Sequence, residues 1–189
     1  MRKPMNSESI QGYIIETEQN LRIAAAVSEA WPEARQKLVQ RFLSRLENRL
    51  KSELNGWEFD QDGTIYSDDY ATFDFWKPAW RDQYGLSLQW GSYGKEMVFG
   101  VYREKEKIGN RQFSSELLQA IKKQYSWATI NPWFEARIRM KNPASDWSSP
   151  EILLQMHNDT DNFLEQVAEQ LLEVAKASEL IIDRLAEKK

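Results

Sequence analysis

The apolar residues of this chain change their spacing at Asn55-Gly56, and this change constrains the fold more than any other feature. Before it, a large apolar residue recurs at every fourth position, which predicts one apolar stripe on an amphipathic helix. These residues are Leu38, Phe42, Leu46, Leu50 and Leu54. After it come short aromatic and β-branched runs separated by turn residues, which are typical of strands. The chain therefore predicts a domain that combines a long helix with a sheet.

Alternating side chains predict strands in the middle of the chain. In "GLSLQW" the apolar residues Leu86, Leu88 and Trp90 fall on one side of a strand, and the polar residues between them fall on the other. The loop "GSYGKE" then leads into "MVFGVYRE", which predicts a hairpin. Together with "WEFDQDGTIYSDD", "ATFDFWKP" and "WFEARIRMK", these runs predict an antiparallel meander of about five strands.

Helix signals stand on both sides of the predicted sheet. The alanine-rich segment from Leu21 to Trp31 favours a helix. Pro32 predicts that this helix stops and that a second one begins, ending at Asn55-Gly56. Ser114 predicts the cap of a short helix in "SSELLQAIKKQYS". Ser149-Pro150-Glu151 predicts the start of a long final helix.

The final helix carries an apolar stripe that steps by four and three residues. Its members are Leu164, Ala168, Leu171, Ala175, Ser178, Ile182 and Leu185. Two pairings are open for this stripe: the Leu38–Leu54 helix of the same chain, or its own copy in a homodimer. Packing within the chain is preferred, because the sheet also needs a cover.

The predicted fold class is therefore α+β. We expect an antiparallel sheet of about five strands, covered by two long amphipathic helices, Pro32–Asn55 and the C-terminal helix. We predict an N-terminal arm over residues 1–20 and a single α+β domain over residues 21–189, a length that can bury a sizeable core. No apolar run is long enough for a signal peptide or a membrane span, so a cytoplasmic protein is expected.

The chain offers little material for catalysis. It has no cysteine and a single histidine, His157, so thiol chemistry is excluded and a Ser-His-Asp mechanism has little to work with. His157 and Asp161 would share one helix face, but two ligands do not make a metal site. The glycines are scattered and form no phosphate-binding loop. We therefore predict no enzyme activity, no metal site and no cofactor.

The acidic run from Asp60 to Thr64 has two interpretations. Its sequence matches the motif that begins the active site of haloacid-dehalogenase-like phosphatases. In such a phosphatase Asp60 would be the nucleophile, Asp62 would be the general acid, and Mg²⁺ would be required. Asp62-Gly63 is also favoured chemistry for a hairpin turn. The turn is preferred, because that phosphatase chemistry needs a buried parallel strand before the loop and only "GWEF" precedes it.

The eight tryptophans are either core residues or a binding platform. Rings on an antiparallel sheet usually pack under helices. This favours a core position for Trp57, Trp90, Trp127 and Trp133. Trp76 and Trp80 flank a proline-containing loop, and for them both interpretations stay open.

Basic residues beside the aromatic rings indicate a contact surface. Residues 98–142 carry nine Lys or Arg against four Asp or Glu, although the whole chain has a net charge of −4. Such a region either meets an anionic partner or is solvated surface. Alternation places Arg137, Arg139 and Lys141 on one face, which is typical of a nucleic-acid platform. The predicted contact surface comprises Trp76, Lys77, Trp80, Arg81, Arg103, Lys105 and Lys107.

The order of elements resembles a bacterial family. The helix "RQKLVQRFLSRLENRLKSELNGWEF" is followed by the strand "FGVYRE", the aromatic segment "WATINPWFEARIRM", the "SDW" turn and a long closing helix. From Ile23 to Leu185 this arrangement resembles the C-terminal accessory region of bacterial PD-(D/E)XK nuclease superfamily proteins. The chain departs from that family in its nuclease motif. It has no Pro-Asp pair, and its only acid-x-Lys run is Glu187-Lys188-Lys189.

The resemblance implies a binding or assembly role in a phage-related or mobile-element setting, without nuclease activity. We therefore predict a non-catalytic interaction module. A protein partner is preferred, because the chain is acidic overall. Nucleic acid bound by the basic, aromatic middle region is the alternative, and the phosphatase that uses Asp60 and Asp62 is the second alternative.

Overall fold

The computed structural model describes residues 7–80, 83–104, 112–141, 144–158 and 160–187, except for the side chains of Ser7 and Thr160. The chain divides into two compact units, Met1–Lys37 and Leu38–Lys189. The division lies inside a helix. None of the described helices combines the length and the apolar character that crossing a membrane requires.

The first unit is helical. It contains α1 (Ser7–Glu16) and the part of α2 (Glu18–Lys51) that precedes Leu38. Thr17 separates the two helices: its Oγ1 accepts a hydrogen bond from the Asn20 N–H at 3.1 Å, as an N-cap residue does.

Helix α2 continues through Pro32, so the predicted break at this residue is wrong. A proline removes one backbone hydrogen bond and crowds the preceding turn. The alanine-rich segment before Pro32 and the run Glu33–Lys37 after it consist largely of strong helix formers. The residues around Pro32 are exposed, so water can satisfy the released carbonyl group.

The second unit contains one antiparallel sheet, and the predicted α+β class is confirmed. Its strands are β1 (Glu58–Asp62), β2 (Tyr70–Trp76), β3 (Tyr84–Gly91), β4 (Glu96–Arg103), β5 (Thr129–Asn131) and β6 (Phe134–Arg139). Their order across the sheet is β1-β2-β3-β4-β6-β5. The sheet has six strands where about five were predicted, because the short strand β5 pairs with β6 in a segment without visible alternation.

One face of the sheet packs into the core. Cross-strand partners point to the same side, and Phe73 pairs with Leu88, which in turn pairs with Phe99. The inward side chains of the central strands are buried and belong to one cluster: Phe73, Phe75, Leu86, Leu88, Trp90, Phe99, Val101, Ala136 and Ile138. The predicted apolar side of "GLSLQW" is therefore the core side.

Helices supply the other half of this core. They are residues 38–51 of α2, α3 (Ser115–Lys122), α4 (Pro150–Asn158) and α5 (Thr160–Glu187). The predicted caps are confirmed, since Ser114 Oγ accepts from the Leu117 N–H and Ser149 Oγ from the Ile152 N–H. In α5 the apolar stripe is buried from Leu164 to Ile182.

Aromatic rings join these layers. The Trp147 ring meets the Phe42 ring of α2 edge-on at 5.3 Å and stacks on the Trp90 ring of β3 at 6.2 Å. Phe163 of α5 lies 5.2 Å from the Phe42 ring. Such ring pairs stabilise a core by about 0.5–1.5 kcal/mol beyond their buried area. The leucine stripe and the sheet are therefore parts of one packed interior.

Candidate functional site

Trp80, a predicted contact residue, lies in the core. Its side chain is 0% exposed. The ring meets the Trp57 ring edge-on at 4.9 Å, and Nε1 donates a hydrogen bond to Asp183 of α5 at 2.7 Å. The prediction that Trp80 could contribute to an exposed surface is thus corrected, because the short turn Pro78–Trp80 packs its ring inward.

Trp76 and Lys77 are held by neighbours within the second unit. Trp76 is half-buried, and its Nε1 donates to Glu58 at 3.0 Å. Lys77 Nζ lies 2.7 Å from a Glu179 carboxylate oxygen and 2.9 Å from one of Asp183. Burial lowers the pKa of Lys77, but these two carboxylates outweigh it and the pKa is raised overall. Both side chains therefore fasten the end of β2 to its surroundings.

Arg103, another predicted contact residue, is also buried. It is 6% exposed, and its Nη1 lies 3.0 Å from Oε1 of the buried Glu135. Its guanidinium group covers the Phe113 ring at 4.4 Å. The strand register turns Arg103 inward, so its place on the predicted surface is corrected. The remaining members, Arg81, Lys105 and Lys107, lie outside the described residues.

The opposite face of the sheet offers a different candidate site, which we call the open face. It consists of the outward residues of β1 to β4 and β6, which are exposed or partly covered on β1 and β2 and mostly buried on β3 and β4. Asp60 pairs with Asp74, Asp74 with Ser87, and Ser87 with Gly100. Arg137 pairs with Gly100 on the other side. One row across this face thus runs from acidic residues to a basic one.

Small residues occupy the middle of the open face. On β3 these small residues are Gly85, Ser87 and Gly91, and on β4 the small residue is Gly100, which pairs with Ser87. A Cβ atom at Gly100 would lie 1.9 Å from the Ala136 carbonyl oxygen, so no side chain fits there. The Tyr102 ring covers Gly85, where a Cβ atom would lie 2.3 Å from the ring. The small residues at these positions leave room for clefts over the middle of the face.

Two adjoining clefts lie over the middle of the face, and together we call them the open-face groove. The smaller has a volume of about 250 Å³, and Asp62, Asp74 and Tyr102 contribute to its lining. The larger has a volume of about 480 Å³, and Tyr70 and Arg137 contribute to its lining. The two clefts share three lining residues: Gln89, Trp133 and Phe134.

Trp133 stands at the junction of the two clefts and is 59% exposed. Its backbone is fixed: Asn131 Oδ1 accepts from the N–H groups of Trp133 and Phe134 at 2.9 and 2.8 Å. The Arg103 N–H donates to the Trp133 carbonyl at 2.9 Å. A large exposed indole on a fixed turn has the properties of an interface anchor.

The core prediction for Trp127 and Trp133 is wrong, whereas Trp57 and Trp90 are buried as predicted. Trp127 is 40% exposed, and it lines another cleft with Lys141, whose Nζ lies 3.8 Å from the ring centroid. The alternation in "WFEARIRM" gives no signal for Trp133. Phe134 lines both clefts and Glu135 is buried, and the register of β4 and β6 shifts between Val101 and Tyr102.

Asp74 has an unusual electrostatic environment. Burial, together with the negative charges of Asp60 and Asp62, raises the pKa of Asp74 to about 6, although a Thr72 hydroxyl donates to its carboxylate at 2.8 Å. Like charges on directly opposed strands destabilise a sheet. The acidic side of the groove therefore carries an electrostatic cost when Asp74 is ionised.

This cost predicts a pH dependence of stability. Because the folded-state pKa of Asp74 lies above its ordinary value of 3.8, protonation favours the folded protein. The free energy of unfolding should then lose this contribution as the pH rises from about 4 to about 6. Asp74→Asn should raise the free energy of unfolding at about pH 7.5 by on the order of 1–2 kcal/mol, after allowance for solvent screening.

Urea unfolding of both proteins across this pH range measures the effect. At about pH 3 and below the advantage of Asp74→Asn should disappear, since the wild-type carboxyl is then mostly neutral in both states. Asp60→Asn is the matched control, and it should give a smaller gain because it removes only a neighbouring charge. An Asp74→Asn advantage that stays constant with pH would contradict the assignment.

Asp60 and Asp62 lie on β1, which pairs antiparallel with β2 at the edge of the sheet. Asp62 ends the strand, and Gly63 has a positive φ of 77° at the start of the connection to β2. The predicted turn is therefore present at this position. Among the described residues, no three His, Cys, Asp or Glu side chains form a group that could hold a metal ion.

Comparisons of this chain with protein-family models, curated proteins and solved structures give no match.

Proposed function

We propose that this protein is a non-catalytic interaction module that binds a protein partner through its open-face groove. The observation that carries the proposal is the exposed Trp133 indole, held on a fixed turn between two adjoining clefts. Tryptophan is enriched among the residues that dominate binding energy, and such residues lie in or beside pockets. We therefore propose the open face of the sheet as the contact surface, in place of the Trp76–Arg81 loop that the sequence predicted.

Charge supports a protein partner over a nucleic acid at this groove. Glu58, Asp60, Asp62 and Asp74 all belong to β1 and β2. Arg139, one of the cations of β6, is paired with Glu96 at 2.6 Å. Nucleic-acid binding depends on cations that neutralise the phosphates, and an acidic face repels the phosphates. From its resemblance, we further propose that this module acts in the bacterial cytoplasm, in a phage-related or mobile-element setting.

A random-peptide display selection against the folded chain tests the proposal. Peptides that bind the wild type should lose affinity by about tenfold or more for Trp133→Ala, as expected when an interface anchor is removed. Trp127→Ala is the matched control, because it removes an exposed indole from another cleft, and it should bind like the wild type. If the selected peptides bind both variants equally, the open-face groove is not the contact surface.

A specific arrangement favours nucleic acid as a second candidate. The exposed ring of Trp127 precedes β5 and that of Trp133 lies in the β5–β6 turn, and Lys141 and Arg139 lie beside Trp127. Exposed rings with neighbouring cations can stack bases and pair phosphates. A single-stranded oligonucleotide should then bind with an affinity that falls steeply with salt and is lost in Trp127→Ala. The absence of a complex at low salt would exclude this candidate.

A further inference from the structure

We infer that the segment bound in the open-face groove is basic, and that it places a lysine or arginine side chain in the smaller cleft. This inference rests on the proposed function and names the chemistry of its partner. It follows from three features of the described residues: the charge of the cleft, the residues that line it, and its size.

The lining of the cleft carries more negative than positive charge. Asp62, Asp74 and Glu104 line it together with Arg103, whose guanidinium group is paired with the buried Glu135, and Asp60 pairs with Asp74 across the strands. Within the described ranges, none of the carboxylates of Asp60, Asp62 and Asp74 forms an ion pair. Two carboxylates at directly opposed positions repel each other, and a cation bound between them would remove that repulsion. The cleft is thus complementary to a positive group.

The lining of the cleft fits the side chain of arginine or lysine. Two aromatic residues, Tyr102 and Trp133, line the cleft together with Gln89 and Asp74. Carboxylates bind a guanidinium group through charge-assisted hydrogen bonds, and aromatic faces attract cations. Arginine combines both contacts because its planar group stacks on rings while it donates hydrogen bonds.

The size of the cleft favours a single side chain. Its volume of about 250 Å³ lies below the range of about 300–1,000 Å³ that is usual for small-molecule sites. The larger cleft continues from it past Trp133 towards Arg137. An extended segment can therefore place one cationic side chain in the smaller cleft and continue along the larger one.

Matched peptides test the inference by fluorescence anisotropy with the full chain. One labelled Gly/Ser peptide carries a pair of arginines, and a second carries citrulline at both positions, which keeps the shape and removes the charge. The wild type should bind the arginine peptide about tenfold or more tightly than the citrulline peptide, the effect of one charge-assisted contact. Asp62→Asn should lower the affinity for the arginine peptide by a similar factor.

Glu169→Gln is the control for diffuse charge, because Glu169 is exposed on α5 and this change removes the same single charge. It should leave the affinity unchanged. Equal losses in Asp62→Asn and Glu169→Gln would overturn the inference in favour of unspecific attraction. Display-selected peptides that depend on Trp133 but contain no lysine or arginine would also overturn it, while the proposed function would stand. Selected peptides whose affinity does not depend on Trp133 would contradict both the inference and the proposed function.

Discussion

Replacing Trp80 with alanine is expected to lower the free energy of unfolding by about 3–5 kcal/mol, the usual cost of deleting a large aromatic side chain from a core. Trp80 is fully buried, packs edge-on against Trp57 and donates a hydrogen bond to Asp183. Its loss leaves a cavity and removes one partner from a carboxylate that also binds Lys77. Chemical denaturation at constant temperature measures the change.

Trp133→Ala is the matched control for Trp80→Ala, since it makes the same substitution at an exposed ring. Its cost should stay near about 0.5 kcal/mol, as for other surface substitutions. The pair should thus separate stability from binding: Trp80→Ala acts on folding and Trp133→Ala on peptide affinity. Equal losses of stability in the two variants would contradict the placement of these rings.

Removing the buried partner of Arg103 should have a comparable effect. Glu135→Ala is expected to cost about 3–5 kcal/mol, because it removes the carboxylate that pairs with a buried guanidinium group. The same carboxylate accepts a hydrogen bond from the Ser114 N–H at 2.7 Å, at the cap of α3. Thermal unfolding followed by near-ultraviolet circular dichroism should show a lower midpoint.

A double variant tests whether the cost comes from the loss of the ion pair. Arg103→Met combined with Glu135→Leu replaces the ion pair by apolar side chains. It should recover much of the stability lost in Glu135→Ala, because well-packed apolar substitutes for buried ion pairs are often neutral. Should the double variant be no more stable than Glu135→Ala, the bond to Ser114, rather than the ion pair, would be the main contribution of Glu135.

The sequence predicts the fold class and most element positions because these depend on local spacing. The four-residue leucine period, the alternation in "GLSLQW" and the caps Ser114 and Ser149 all require only neighbouring residues. The break at Pro32 fails for a related reason. The helix propensity of the residues on both sides of Pro32 outweighs the effect of the single proline.

The predicted contact surface depended on side-chain burial, which local patterns do not determine. Arg103 and Glu135 are far apart in the sequence, and local patterns predict that each is a solvated charge. The pairing of β4 with β6 brings the two side chains together. Likewise, the residues next to Trp80 in the sequence do not predict its hydrogen bond to Asp183. Long-range pairing therefore turned two predicted contact residues into core residues.

The open-face groove was partly visible in the sequence. Gly85, Ser87, Gly91 and Gly100 are small residues that alternate with large apolar ones on two adjacent strands. This pattern indicates a face that does not pack against a helix. The position of Trp133 over that face could not be predicted, because it depends on the Asn131 turn and on the meeting of β4 with β6.

Arg103 couples the groove to the interior of the protein. Its N–H holds the turn that carries Trp133, while its guanidinium group binds Glu135, which in turn holds the first residue before α3. The turn on which the proposed recognition depends and the buried core therefore share Arg103 as a common contact. A partner that grips the indole would also restrain the backbone of a central strand, so complex formation should slow the local opening of β4.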